Sequence, residues 1–541
     1  MTDQAGFYDR VVRELLGQLR WSFLPPLMIY FSYGVSGLTA IVGAFFVKDY
    51  LGLSAAFLAG LAFWAGLPWA LKMPLGHLVD LIWRWKAALV WVGAGLVAAS
   101  LTIMYLLVTQ TAAMGQILPV PTWYVISVLL SPAGFVVQDA VADAMSVEAV
   151  PRVDASGAPL GEAEAKALHT TMQTLGRFAL ISGTVAVALL NIVMFSGAEA
   201  LGPAEKAEIY GRIYLIALVI PALSVSGVVL AGVQRRAQRA RMVAAGANAE
   251  EIAAALDRPG EPTQVNHWYF TGGLAFVALT LTVGLSGIPF GQELIFCGSL
   301  AVVLFLMTQL ARALTPAQAK TLFGTAIVIF VFRAVPLPGQ GYTWFSIDEL
   351  GFDEQFLSVL SLITALLTLA GILLLRPMMA KRRITWIVVV LSLAAAVLAL
   401  PNIGLYYGVQ DWTAPRTGGV VDARFIAILD TAAESPLGQV AMIPMLAWIA
   451  RSAPPALKAT FFAVMASFTN LALSASALGT KYLNQVFLVS REVKDRATGA
   501  VEVPADYSQL GVLLITVAVI SVAVPLLTVW GVQRTALRTA E

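Results

Sequence analysis

Long apolar runs separated by short polar segments are the dominant pattern along this chain. The runs are continuous rather than alternating, and a hydrocarbon core of about 30 Å needs about 20 apolar residues per helix. The pattern therefore predicts membrane-spanning α-helices. Fourteen spans are predicted, near residues 24–47, 54–72, 87–108, 120–147, 168–195, 209–232, 268–288, 291–313, 318–335, 355–375, 383–401, 424–450, 459–488 and 508–532.

The composition agrees with a polytopic membrane protein. Of the 541 residues, 59% are hydrophobic and 12% are charged, whereas soluble domains carry roughly a quarter charged residues. A net charge of +2 argues against a nucleic-acid partner. One cysteine and three scattered histidines give no metal site, and no phosphate-binding or hydrolase motif is present. We therefore expect no enzyme, no catalytic residue and no cofactor.

The distribution of lysine and arginine predicts the orientation. When alternate loops are assigned to two sides, the side with both termini holds 23 of these residues and the other side holds 9. Because cationic loops stay in the cytoplasm, both termini are expected there, with the protein in the cytoplasmic (inner) membrane.

An internal repeat predicts two related halves. Residues 47–59 recur as 346–358, at an offset of 299, and other segments recur at offsets near 290–300. Such duplication is common in transporters. The expected domains are a six-helix bundle (1–232), a cytoplasmic linker (233–267), an inserted helix pair (268–313) and a second six-helix bundle (314–541). Prolines and glycines in the first helix of each half are expected to allow kinks.

The repeat also pairs polar residues inside the spans. It aligns Asp139 and Asp143 with Asp430 and Glu434, and it aligns Arg177 with Asn470. We therefore expect Arg177 and Asn470 at equivalent depths in the two halves, and we expect Asp430 and Glu434 to face the central cavity.

The segment 67–89 resembles the loop between helices 2 and 3 of the major facilitator superfamily. Gly76, Asp80, Arg84 and Lys86 occupy its motif positions, and the resemblance implies that they form a cytoplasmic gate. Four blocks resemble the folate–biopterin transporter family more narrowly: PWALKMPLGHLVD, QDAVADAMSVE, FRAVPLPGQGYTWFSIDELGF and LGQVAMIPMLAWIARSAPPALKATFFAVMASFTN. This resemblance implies the two-bundle fold, alternating access and a pteridine-bearing anion as substrate.

Carboxylates inside the spans are candidate proton-coupling groups, because a charge in the bilayer is costly and needs a function or a partner. Asp139 and Asp143 are four residues apart and project from one helix face. They either exchange protons and contact substrate, or they form a structural charge network with Arg177. Asp430 and Glu434 repeat this spacing, with interhelical pairing or a cap at a helix break as their alternative.

An anionic substrate needs cations and a stacking surface. Arg333 is the first choice, since a guanidinium grips a carboxylate with two hydrogen bonds; its alternative is a fixed ion pair with Asp430 or Glu434. The other candidate substrate-binding residues are Arg177, Asn470, Gln138, Tyr33 and Trp344.

These observations lead to one principal hypothesis. The chain is expected to be a monomeric secondary active transporter that moves a small organic solute, most simply a folate-like or pteridine-like anion, with protons as the coupling ion. Two alternatives remain open: a non-transporting membrane assembly factor related to the same family, and a major facilitator for another nutrient such as a sugar.

Overall fold

The computed structural model is almost entirely helical. It describes residues 20–51, 53–70, 72, 75, 78–79, 82, 85–150, 162–198, 201–256, 267–286, 288–312, 314–437, 440, 458–494, 501–535 and 537. Two short strands, β1 (Val493–Lys494) and β2 (Val501–Val503), form an antiparallel pair.

The described residues of the first half of the chain form nine helices. Their bounds are Leu24–Val35 (α1), Ala40–Tyr50 (α2), Ala55–Ala70 (α3), Lys86–Thr109 (α4), Thr111–Ile117 (α5), Val120–Ala149 (α6), Glu162–Met194 (α7), Pro203–Ala217 (α8) and Val219–Ala244 (α9). The sixth predicted span therefore continues to Ala244, and this helix carries four arginines of the predicted linker, Arg235, Arg236, Arg239 and Arg241.

The remainder of the chain contains eleven described helices. Their bounds are Ala249–Leu256 (α10), His267–Ser286 (α11), Gly291–Ala311 (α12), Pro316–Arg333 (α13), Gln340–Asp348 (α14), Glu354–Lys381 (α15), Ile384–Tyr406 (α16), Val409–Arg416 (α17), Ala423–Glu434 (α18), Lys458–Val486 (α19) and Leu510–Arg534 (α20).

Nine helical segments of the described chain are long and apolar enough to cross a membrane. Two shorter apolar helices, Ala55–Trp69 and Thr271–Gly284, lie at the predicted second and seventh spans. The multi-pass, all-helical class is thus confirmed. The number of fourteen spans stays a prediction, because 318–335, 424–450 and 459–488 are not among these segments and part of 424–450 lies outside the described residues.

The first span of each half is interrupted. A 3₁₀ turn at Ser36–Thr39 separates α1 from α2, and an irregular segment at 334–339 separates α13 from α14. The second interruption ends at Gly339, whose φ of 79° favours glycine. The kinks expected from prolines and glycines are therefore present in both halves.

Polar side chains of α19 satisfy the backbone of the second interruption. They are four residues apart and lie on one helix face. An unpaired backbone group in hydrocarbon costs several kcal/mol, so these side chains allow the helix to break inside the membrane. The contacts join Ser476 Oγ to the carbonyl of Val335 (2.6 Å), the amide of Leu337 to Thr480 Oγ1 (2.9 Å) and Asn484 Nδ2 to the carbonyl of Pro338 (3.1 Å).

The helix pairs that join the two halves follow the repeat. α3 packs on α19, and α7 packs on α15. The repeat relates α3 to α15 and α7 to α19, so these two contacts are equivalent. α3 begins at Ala55 and α15 at Glu354, which reproduces the offset between 47–59 and 346–358. The halves are therefore arranged as a pseudo-symmetric pair.

Close helix packing within the first half depends on glycine. A Cβ atom on Gly34 of α1 would lie 1.9 Å from the carbonyl oxygen of Leu180, and one on Gly183 of α7 would lie 2.6 Å from that of Phe31. Small residues that let two backbones approach are typical of helix pairs in membranes. The two glycines thus fix the distance between α1 and α7.

The inserted helices α11 and α12 pack on each other and dock on both halves. α12 packs on α19, where Lys481 Nζ lies 3.0 Å from Glu293 Oε1. Gln292 Nε2 donates to the carbonyl of Gly60 on α3 at 3.0 Å. The residue boundaries of the four predicted domains stay predictions.

The two ends of the bundle can be distinguished by the chain path. Gln234, near the end of α9, donates to the carbonyl of Trp21, and Val532 near the end of α20 packs with Leu322 near the start of α13. This end is the terminal face. The other end of the bundle is the opposite face. Three helices terminate there (α2, α14 and α19), and three helices start there (α3, α8 and α15).

Candidate functional site

An ion cluster lies where α3, α6 and α1 meet. Lys72 Nζ is 2.6 Å from Asp139 Oδ2 and 2.6 Å from Asp143 Oδ2. The two carboxylates lie one turn apart on α6, as their spacing predicts. Tyr30 on α1 donates its hydroxyl to Asp143 Oδ1 at 2.7 Å. One ammonium therefore bridges two carboxylates, and an aromatic hydroxyl closes the group.

Sequence reasoning missed Lys72 and expected Arg177 in its place. Lys72 ends the predicted second span, where a cation is ordinarily interpreted as a loop residue. Among the ion pairs between described residues, none joins Arg177 to either carboxylate. Arg177 is exposed, yet its charge acts on both Asp139 and Tyr33. The guanidinium of Arg177 therefore stands beside the cluster without a direct ion pair to either carboxylate, and its role stays a prediction.

Aromatic rings form a wall next to the cluster. The ring of Tyr33 lies 5.5 Å from that of Trp69 and 5.3 Å from that of Phe135, measured between centroids. A small cavity of about 10 Å³ lies between this wall and Asp139, enough for about one water. Tyr33 thus remains a candidate contact for a planar group.

Two predicted substrate contacts have packing roles in this structure. Gln138 is buried against α4, where its Cγ would lie 2.7 Å from a Cβ on Gly93. Asn470 donates Nδ2 to the carbonyl of Trp69 at 3.2 Å, which ties α19 to α3 across the halves. Gln138 packs on α4 and also lines the small cavity beside Asp139, so its contact with substrate stays a prediction.

Arg333 is the last residue of α13 and is half-buried. A cation at a helix C-terminus interacts favourably with the helix dipole. Its role as an anion ligand, or as a partner of Asp430 or Glu434, stays a prediction.

Asp430 lies in a hydrogen-bonded chain in the second half. Asn402 Nδ2 on α16 donates to Asp430 Oδ2 at 2.9 Å, and the hydroxyl of Tyr342 on α14 donates to Asn402 Oδ1 at 2.5 Å. Asp430 is buried, whereas Glu434 is exposed at the end of α18 and precedes a 3₁₀ turn. The two carboxylates therefore have different surroundings despite their shared spacing.

The repeat does not place Asp139 and Asp430 at equivalent depths. Asp139 is 19 residues from the start of α6 and Asp430 is 7 residues from the start of α18, which correspond to about 28 Å and about 10 Å along the helix axes. Asp139 thus lies nearer the terminal face and Asp430 nearer the opposite face. The two carboxylates differ in depth because their helices begin at different points of the aligned sequence.

Most of the predicted cytoplasmic gate lies outside the described residues: Gly76, Asp80 and Arg84 belong to this group. Lys86 is described, and its Nζ lies 2.6 Å from Glu148 Oε2 on α6. This ion pair lies within the first half, so Lys86 anchors α4 to α6 in this conformation.

Ion pairs between the two halves occur at the opposite face. Lys48 at the end of α2 pairs with Asp348 at the end of α14. The hydroxyl of Tyr507 also donates to Asp348. Burial and this hydrogen bond raise the pKa of Tyr507, so the hydroxyl keeps its proton as a donor. Lys48 is 6% exposed, so this pair is almost fully removed from water.

Two further contacts complete this closure. Glu354 at the start of α15 is 1% exposed, accepts from the hydroxyl of Tyr210 at 2.5 Å and lies 3.5 Å from Lys206 Nζ. Arg491 donates Nε to the carbonyl of Lys48 at 2.7 Å and a second N–H to that of Leu53. The cross-half residues Lys48, Lys206, Tyr210, Asp348, Glu354 and Arg491 together form the latch.

The latch explains the position of Trp344. Its ring is 1% exposed and lies under the guanidinium of Arg491, 4.9 Å from the ring centroid. Arg491 covers the face of this ring in the closed structure, so the role of Trp344 as a substrate contact stays a prediction. No part of the sequence pattern singles out the latch, since its residues come from five separate segments.

Two pseudo-symmetric helical halves that contact each other at one face form a fold that this chain shares with solved membrane transporters. A peptide transporter of the POT family in complex with sulfate has this fold, with a TM-score of 0.57 at 14% identity over 96% of this chain and 95% of that chain. A D-xylose–proton symporter also has it, with a TM-score of 0.52 at 12% identity over 94% of this chain and 95% of that chain.

The chain belongs to the BT1 family, whose profile matches residues 33–536. It is similar to a protein described as "Folate-biopterin transporter" from Synechocystis sp. (strain ATCC 27184 / PCC 6803 / Kazusa). The two are 24% identical over 474 residues, covering 86% of this chain and 75% of that protein. The resemblance to this family is thus confirmed, and the protein is a multi-pass membrane transporter rather than an enzyme.

Proposed function

We propose that this protein is a secondary active transporter that moves a folate-like or pteridine-like organic anion across the cytoplasmic membrane, coupled to protons. The similarity to a folate–biopterin transporter supports the substrate class. The observation that carries the proposal is the cluster of Lys72, Asp139, Asp143 and Tyr30 beside an aromatic wall and an exposed arginine.

The cluster has the chemistry that such a substrate needs. An ammonium has three N–H donors, and two of them are directed at Asp139 and Asp143. A substrate carboxylate competes with these side chains for Lys72 and gains a second cation from Arg177. Tyr33 and its ring neighbours offer a face on which a planar heterocycle stacks. Binding of an anion here is favoured when a nearby carboxylate is neutral, which links substrate to protons.

The latch supports alternating access. It closes the opposite face by contacts between the halves, so a substrate that crosses from that face requires these contacts to break. Domain rotation about a central site is a common way to open one face while the other closes. The proposed orientation has both termini in the cytoplasm, and the latch would then close the outer face.

Uptake into proteoliposomes tests the proposal. Labelled folate and labelled biopterin are added to the full-length protein with and without an inward proton gradient. We expect gradient-dependent accumulation that Lys72→Ala and Asp139→Asn each reduce by at least tenfold. Lys320→Ala is the matched control, because it removes an exposed lysine.

Unchanged uptake in both cluster variants would remove the site from the proposal. Absence of uptake of both compounds by correctly folded wild-type protein would contradict the substrate class.

A further inference from the structure

The four carboxylates that are candidates for proton coupling differ in how their negative charge is compensated. Asp139 and Asp143 share the charge of Lys72. Glu434 is exposed, so its charge is hydrated. Asp430 is 7% exposed, and the partner that it has among the described residues is the neutral amide of Asn402. Its Oδ1 atom is buried without a hydrogen-bond partner in this part of the chain.

Among the described residues, the helices around Asp430 place no free cation beside it, since Arg424 on α18 itself is paired with Asp353. α18 packs on α15 and α16. The segment that forms α16 carries no charged residue. On α15, Glu354 is held by the latch, and Arg376 is about six turns further along the helix. Glu434, one turn away on α18 itself, adds a second negative charge.

A proton on Asp430 removes the free-energy cost of burying its negative charge without a cation. An ionised carboxylate that is buried without a cation is unfavourable by several kcal/mol. The neutral acid needs no cation, and its hydroxyl occupies the Oδ1 position that lacks a partner. The closed structure therefore favours the protonated form of Asp430, while the pair at Lys72 is stable as two carboxylates.

Helix α14 connects Asp430 to the latch. Tyr342 donates to Asn402, which donates to Asp430. Two residues further along α14, Trp344 lies under Arg491, and the helix ends at Asp348, which binds Lys48. One short helix of nine residues thus carries both the end of the Asp430 chain and two latch contacts.

We propose that Asp430 carries the coupling proton and that α14 ties its protonation to the closure of the opposite face. This inference rests on the proposed function, because it names the group that performs the coupling. When the latch opens, water reaches Asp430, about 10 Å from the start of its helix, and the proton exchanges with that side. When the latch closes, the proton is retained and the terminal face becomes its exit.

Linkage fixes the sign of the pH effect. The closed state binds the proton more tightly than the open state, so a fall in pH stabilises closure and a rise in pH favours opening. One linked proton changes the ratio of open to closed protein by at most about tenfold per pH unit. Asp430→Asn is neutral at every pH, so it is expected to stay closed as the pH rises.

A labelling experiment without substrate tests this inference. The native Cys297 is replaced by serine and Ala55 by cysteine, because Ala55 is 3% exposed and packs at the latch with Trp344 and Val489. A water-soluble maleimide then reports opening of the full-length protein in lipid nanodiscs. A second variant carries its cysteine at Val420, a loop position that is 65% exposed. The labelling rate at Ala55→Cys is divided by the labelling rate at Val420→Cys, and this ratio corrects for the change of thiol reactivity with pH.

We expect the corrected rate to rise with pH in the parent protein and to stay at its low-pH value in Asp430→Asn. Asp430→Glu keeps a titratable group and is expected to restore the pH dependence with a shifted midpoint. Asp411→Asn is the charge-matched control, because Asp411 is exposed at the same face, and it should behave as the parent. A rate that is independent of pH in the parent, or an equal pH dependence in Asp430→Asn, would overturn the inference.

The result of the labelling experiment can be distinguished from the result of the uptake experiment that tests the proposed function. Failure of folate or biopterin uptake leaves the labelling result unaffected, since no substrate is present. In a transporting protein, Asp430→Asn is expected to retain substrate exchange at equal concentrations and to lose accumulation driven by a proton gradient. Gradient-driven accumulation at the wild-type level in this variant would also overturn the inference.

Discussion

Asp348→Asn is expected to open the latch. The substitution leaves Lys48 without its counter-ion in the closed state, where Lys48 is 6% exposed. Removing one partner of a buried ion pair typically costs about 3–5 kcal/mol. In an open state Lys48 is hydrated, so this cost falls on the closed state alone. Because Arg491 and Glu354 still join the halves, the lower value applies, and about 3 kcal/mol corresponds to a more than hundredfold gain in open protein.

The assay is maleimide labelling of Ala55→Cys in the Cys297→Ser background at one fixed pH. Since reaction is slow compared with opening and closing, the labelling rate follows the population of the open state. We therefore expect Asp348→Asn to label about a hundred times faster than the parent. Glu208→Gln is the matched control, because it breaks an ion pair with Arg212 whose side chains are 67% and 65% exposed, and exposed pairs contribute little.

A double variant separates the ion pair from simple damage to the helix ends. Replacing both members of a buried pair by apolar residues is often neutral or stabilising. Lys48→Met combined with Asp348→Leu is therefore expected to label close to the parent rate. Labelling of Asp348→Asn at the parent rate, or equally fast labelling of the double variant, would refute the assignment of this pair as a closing contact.

Three further predictions concern packing. Gly34→Ala should abolish folded protein, measured by size-exclusion chromatography, because its Cβ would overlap a backbone carbonyl of α7; Gly37→Ala, with nothing within 4 Å, should fold normally. Thr480→Val should lower the free energy of unfolding by about 1 kcal/mol in a denaturant titration, since it removes the hydrogen bond to the amide of Leu337 in the broken segment; an unchanged midpoint would contradict this. Glu293→Gln should weaken the docking of α12 by up to about 1 kcal/mol through its contact with Lys481, seen as faster proteolysis of the inserted pair; protection equal to the parent would contradict it.

Much of the candidate site was accessible to sequence reasoning because charges in a bilayer are rare. Asp139 and Asp143 stand out in an apolar run, and their spacing alone places them on one helix face. Their partner was not accessible in this way. Lys72 stands at the end of a span, where a lysine is ordinarily explained by the membrane interface, and only the packing of α3 on α6 places its ammonium between the two carboxylates.

The second half shows how a sequence repeat overstates equivalence. The alignment of Asp139 with Asp430 correctly identifies two polar positions on corresponding helices. It cannot give their depth, because the segments before α6 and α18 differ in length and in where the helix begins. The depth decides the chemistry. Asp139 pairs with Lys72, whereas Asp430 accepts a hydrogen bond from the amide of Asn402, which accepts one from Tyr342.

The sequence by itself determined that this chain is a helical membrane protein with two related halves and polar groups between them. Three features of the sequence suffice for that conclusion: the lengths of the hydrophobic runs, the cost of charge inside a membrane, and the duplicated segments. The first two depend on a single helix, and the third is found by comparing the chain with itself. Only the tertiary structure decided which charges pair, which face is closed and which aromatic rings are covered. These properties depend on contacts between residues hundreds of positions apart, such as Lys48 with Asp348, and the distance between them is set by the packing of whole helices.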